Sequence, residues 1–63
     1  MTRFPQALLR LRRERNLSQD SLALAIGVCA GSVRAWEHRR RMPSLRNLLR
    51  LSRVLKVPLD ELV

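Results

Sequence analysis

Every stretch of helical periodicity in this sequence is cut short. The longest apolar run, Leu22 to Ile26, is five residues, and Asn16, Gly27, Pro43 and Pro58 stand at or just beyond the ends of the periodic segments. Glycine and asparagine accept the left-handed backbone that ends helices, and proline cannot continue one. A chain punctuated in this way cannot form a long helix or a membrane span. It has no alternating pattern for strands, no repeat and no linker, and its 63 residues allow one domain at most. The fold class read from the pattern is all-α, a bundle of five short helices over residues 1–63.

In the first segment Phe4, Leu8 and Leu11 recur at helical spacing, with Arg10, Arg12, Arg13, Glu14 and Arg15 filling most other positions. This spacing predicts a helix ending near Arg15, with a turn at Asn16. Ser18 is placed to cap a second helix whose first turn holds Asp20 and whose buried stripe is Leu22, Ala23 and Ile26; Gly27 closes it. A third helix, about 30–38, puts Val33 and Trp36 on one side, with Cys29 leading onto that side. Gly31, Arg34, Ala35 and His38 face the other way. Trp36 is therefore read as a core anchor and not as a base-stacking residue. Ser44 caps a fourth helix carrying Leu45, Leu48, Leu49, Leu51 and Leu55, expected to be the centre of the core. Pro58 opens a short last one with Leu59, Leu62 and Val63.

The chemistry available is narrow. Thirteen basic residues, twelve of them Arg, stand against five acidic ones, for a net charge of +8. Such a surface attracts nucleic acid or anionic membrane, and Arg forms bidentate contacts with phosphate and guanine. His38 is the single histidine, tyrosine is absent, and no carboxylate pair or nucleophile–base pair is discernible. That inventory offers no catalytic machinery, no metal site and no cofactor. Cys29, the only cysteine, cannot form an internal disulfide, and no apolar leader is present, so the chain reads as an unexported cytoplasmic protein. A short helix, a glycine turn and a second helix with a small-residue outer face, spanning residues 18–38, is an arrangement that lets a helix enter the major groove of double-stranded DNA.

The ordered set Ser18-Gln19, Leu22-Ala23, Gly27-Val28, Val33, Trp36-Glu37, Pro43-Ser44-Leu45, Leu48-Leu49, Val57 and Asp60-Glu61-Leu62 resembles the Cro/phage-repressor (XRE-type) helix-turn-helix family over almost the whole chain. The resemblance implies a lambda-repressor-like DNA-binding domain acting as a transcriptional regulator, a repressor, with the helix near 30–38 as recognition helix. It places Ala30, Gly31, Arg34 and Ala35 at base-reading positions. The side chains of Ala30, Gly31 and Ala35 offer at most contact with a thymine methyl, whereas Arg34 can fork onto guanine, with a phosphate contact as its alternative. It assigns Ser18, Gln19, Ser32, His38, Arg39, Arg40 and Arg41 to phosphates, Gln19 also bracing the recognition helix. Ser32 has a base or its own backbone as alternatives, and the basic run has a solvated loop as its alternative. Arg12 and Glu37 match a structural salt bridge.

A domain of this kind is expected to dock as a homodimer, with Val57, Leu59, Leu62 and Val63 as the dimer contact; that contact is small on this chain, which favours a weak dimer formed mainly on DNA. Where the family usually has glycine this chain has Arg39 and Lys56, each costing roughly 1–2 kcal/mol if left-handed. The rival readings are an antitoxin-type module that uses the same fold to hold a protein partner, and a basic amphipathic peptide at membranes.

Overall fold

The first helix, α1 (Phe4–Glu14), begins with Pro5 in its opening turn, where the fixed φ of proline is already helical and its missing N–H has no intrahelical acceptor to lose. It buries Phe4, Ala7, Leu8 and Leu11 along one stripe. The computed structural model describes residues 3–63, and among them it contains α1, α2 (Gln19–Ile26), α3 (Ala30–Glu37), α4 (Leu45–Leu55) and a 3-10 turn at Leu59–Glu61. The fifth element of the expected bundle is thus a single turn of three residues.

Capping is legible in the local chemistry. The Ser18 hydroxyl accepts from the Ser21 N–H at 2.9 Å, and the Ser44 hydroxyl accepts from the Asn47 N–H at 3.3 Å, each satisfying one donor that the first helical turn leaves unpaired. All four α-helices also end the same way. A backbone N–H just past the helix end returns to a carbonyl five residues back: Leu17 to Arg12, Val28 to Ala23, Arg40 to Ala35 and Val57 to Ser52, at 2.9–3.1 Å. The residue immediately before each of these donors is left-handed, with φ of 56° at Asn16, 80° at Gly27, 62° at Arg39 and 57° at Lys56. Glycine takes this conformation freely and asparagine at low cost, while Arg39 and Lys56 carry the Cβ strain.

Lys56→Gly is accordingly expected to stabilise the domain. Relief of the strain exceeds the added freedom of the unfolded chain by about 0.5–1 kcal/mol. At this size that raises the melting temperature by about 2–8 °C. Thermal unfolding followed by circular dichroism reads it, and a lower melting temperature would show that Lys56 makes a compensating contact in the turn.

The core is one cluster. Phe4, Leu8 and Leu11 meet Leu22, Ala23 and Ile26 of α2, Val33 and Trp36 of α3, Leu51 and Leu55 of α4, and Leu62. The Phe4 and Trp36 rings pack edge to face, centroids 6.5 Å apart at 66°, a favoured aromatic geometry.

Three expectations change. Helix α4 is peripheral: Leu51 and Leu55 are buried, but Leu45 and Leu49 are 65% and 44% exposed. Five leucines in eleven residues spread over more than one face, and a helix closing the side of a bundle buries one stripe. Leu62, expected at a dimer contact, is fully buried, because the 3-10 turn folds the tail back onto the core. Cys29 is exposed; as the extended N-cap of α3 it lies outside the helical projection that placed it with Val33.

Candidate nucleic-acid interface

Helices α2 and α3 are held at a fixed angle by one polar cluster. Arg12 Nε and Nη2 donate to the two carboxylate oxygens of Glu37 at 2.7 and 3.1 Å, and Arg12 Nη1 donates to the Leu17 carbonyl at 2.9 Å. Gln19 Nε2 donates to Glu37 Oε1 at 2.9 Å. The cluster therefore joins α1, the α1–α2 turn, the first residue of α2 and the last residue of α3. With side chains 12% and 5% exposed, the Arg12–Glu37 pair is largely removed from water.

Burial pushes the Glu37 carboxyl upward, but the hydrogen bonds from Arg12 and Gln19 and the charges of Arg12 and Arg13 outweigh it and hold its pKa below the ordinary glutamate value. The salt bridge and the bracing role of Gln19 thus have a common geometric basis. Among the described residues no buried side-chain polar atom lacks a partner.

With its inner side locked, α3 turns Gly31, Arg34, Ala35 and His38 outward, and these four line a shallow open hollow together with Arg40. Ala30 is not among them; it is half-buried and packs against the core. Arg34, His38, Arg39, Arg40 and Arg41 are all exposed, and no carboxylate lines the hollow. Glu37, the one acidic residue of α3, is spent on Arg12 and Gln19. The surface beside the hollow is in consequence cationic without an internal counter-ion, suited to an anionic or acceptor-rich ligand.

Ser32 lies on another side of α3. It shares a second hollow with Trp36, Arg41, Met42, Pro43, Ser44 and Asn47, and its hydroxyl is 3.5 Å from Cys29 Sγ. Hydrogen bonding to Ser32 lowers the pKa of the exposed Cys29 thiol. Asn47, which the sequence reading passed over, belongs to this place. Its signal was the Ser44 cap, which sets Asn47 at the third position of α4, where it turns toward Ser32 and Arg41. The Ser18 hydroxyl, besides capping α2, donates to Ser21 Oγ at 2.9 Å, so it carries a structural role at the surface. Of the candidate dimer residues, Val57 and Leu59 are half-buried against the core and Val63 is 48% exposed.

Among the described residues no helix is long and apolar enough to cross a membrane. A sequence search of curated proteins finds no match. The fold has counterparts among solved structures. The chain is similar to the restriction-modification controller protein of Aeromonas hydrophila, at 37% identity over 95% of this chain and 91% of that one, with a TM-score of 0.89. It is similar to the P22 c2 repressor protein, solved in complex with a synthetic operator, at 27% identity over 95% and 91%, with a TM-score of 0.91. It is also similar to SinR, a master regulator for biofilm formation solved in complex with DNA, at 28% identity over 94% and 98%, with a TM-score of 0.87. The helix-turn-helix family profile matches residues 8–62, nearly the whole domain. With α2 and α3 forming the two helices about Gly27, and with this breadth of match, the chain belongs to the Cro/C1-type helix-turn-helix family.

Proposed function

We propose that this protein is a sequence-specific regulator of transcription, a repressor, that lays α3 in the major groove of double-stranded DNA. The observation that carries the reading is the outer face of α3: small at Gly31 and Ala35, bounded by Arg34, His38 and Arg40, and free of carboxylates. Small side chains let the helix approach the base edges, and guanidinium forks match guanine O6 and N7. Similar chains crystallised with a synthetic operator and with DNA support the same use of the fold.

In this reading Arg34 reads a base. Gln19, Ser18, Ser32, Arg39 and Arg41 approach phosphates, which supply the salt-dependent part of the affinity. The protein acts as a homodimer on two half-sites about one helical turn apart, as helix-turn-helix dimers do. Val57, Leu59 and Val63 supply the contact. Three residues, two of them half-buried, are far fewer than the ~20–30 per side of a stable interface. The dimer therefore forms on DNA, and sedimentation without DNA is expected to show monomer.

Selection from a random duplex pool at near-physiological salt tests the reading. Enrichment of a half-site repeated with twofold symmetry is the expected result, and Arg34→Ala relaxes preference at particular base pairs by roughly 1–3 kcal/mol. If no sequence is enriched by the wild-type protein, the sequence-specific reading fails. Uniform weakening by Arg34→Ala would make Arg34 a phosphate anchor.

A further inference from the structure

The consecutive arginines 39–41 look equivalent in sequence, but the fold sends them to different places. Arg39 is the left-handed residue that closes α3. The chain then doubles back, and the Arg40 N–H donates to the Ala35 carbonyl at 2.9 Å, tying Arg40 to the last turns of the recognition helix. Arg40 lines the hollow of Gly31, Arg34, Ala35 and His38. Arg41 lines the other one, with Ser32 and with Ser44 and Asn47 at the start of α4.

The hollow has a floor that the fold does not require. Gly31 is not left-handed, and a Cβ there would meet only Cys29 Sγ at 3.9 Å, an ordinary contact. Glycine within a helix is nonetheless destabilising relative to alanine. A bare position that packing does not need leaves room for close approach by a ligand from outside. Arg34 and Arg40 both line this hollow and are exposed, and neither side chain is held by an ion pair with Glu14 or Glu37, the carboxylates that pair with Arg10, Arg12 and Arg15.

We propose that Arg40 is a second specificity-determining residue, reading a guanine edge next to the base read by Arg34, while Arg41 contacts phosphate. The inference rests on the DNA-binding reading above. An arginine that lines the groove-facing hollow of the recognition helix meets base edges, whereas one beside the start of α4 meets the flanking backbone. Arginine is needed at position 40 for its planar fork, which takes O6 and N7 together; lysine keeps the charge and loses the fork.

The test compares wild-type protein, Arg40→Lys, Arg40→Ala and Arg41→Lys by selection from random duplex, with binding to the enriched site measured across a range of salt. Circular dichroism confirms that each variant is folded. Arg40→Lys is expected to keep the salt slope and to lose preference for guanine at one position per half-site, by roughly 5- to 150-fold. Arg41→Lys keeps the wild-type preference throughout. Replacing that guanine with 7-deazaguanine, which lacks the N7 acceptor, weakens the wild-type protein but not Arg40→Ala.

The inference is overturned if Arg40→Lys keeps the wild-type preference everywhere and Arg40→Ala only flattens the salt slope, by about 0.9, since that is the behaviour of a phosphate contact. Failure of the wild-type protein to enrich any sequence is a separate result and defeats the parent reading.

Discussion

Glu37→Ala is expected to cost about 3–5 kcal/mol, because it strands the largely buried Arg12 guanidinium without its counter-charge. A domain of 63 residues has only about 3–9 kcal/mol in total. The loss is a third or more of the whole, and at the low end of that range it leaves the variant unfolded at room temperature. Chemical denaturation read by circular dichroism measures the loss, with fluorescence of the single tryptophan as a second probe. The double variant Arg12→Met, Glu37→Met is expected to recover much of it, since apolar replacement of both partners removes the stranded charge. A Glu37→Ala protein whose melting temperature moved by only a degree or two would show that Arg12 finds another partner or reaches water.

The same pair sets an acid limit. The folded-state pKa of Glu37 is depressed, so its contribution is fully present above the unfolded glutamate value of about 4.3 and disappears as the pH falls through the lower folded value. Wild-type stability is expected to drop in that window more steeply than that of the Arg12→Met, Glu37→Met variant. Parallel curves would assign the acid loss to other carboxylates.

Trp36→Ala has an effect of similar size, about 3–5 kcal/mol, from lost transfer energy and the cavity left behind. Trp36 is 4% exposed and its ring meets Phe4 edge to face, so the substitution opens the seam between α1 and α3. Trp36→Phe should cost much less, because an aromatic pair with Phe4 is retained. Circular dichroism is the readout, since removing Trp36 leaves no tryptophan or tyrosine for fluorescence. If Trp36→Ala remained as stable as the wild type while losing DNA binding, Trp36 would be a ligand-contacting residue and not a core one.

Both substitutions act on α3 from its inner side, and this separates stability from recognition. Trp36 and Glu37 point inward and fix the helix; Gly31, Arg34 and Ala35 point outward and are free of that task. Substitutions on the outer face should change what DNA is chosen with little effect on folding. Those on the inner face should lower folding and binding together.

The elements that were legible from the sequence depend on neighbours within a few residues. Asn16 and Gly27 are left-handed because few residue types accept that conformation, and Ser18 and Ser44 cap because a short hydroxyl reaches an N–H three residues on. The inward stripe of Val33 and Trp36 follows from helical period alone.

Tertiary structure decided what depends on how helices cross and where the chain returns. Period could not say which of the five leucines of α4 would be covered, because that depends on how the helix lies against the rest of the bundle. It could not show that the last turn carries Leu62 into the core, leaving Val63 at the surface. Nor could it divide the arginine run. Consecutive identical residues carry identical local information, and only the left-handed turn at Arg39 and the return bond from Arg40 to Ala35 set Arg40 and Arg41 in different hollows beside α3.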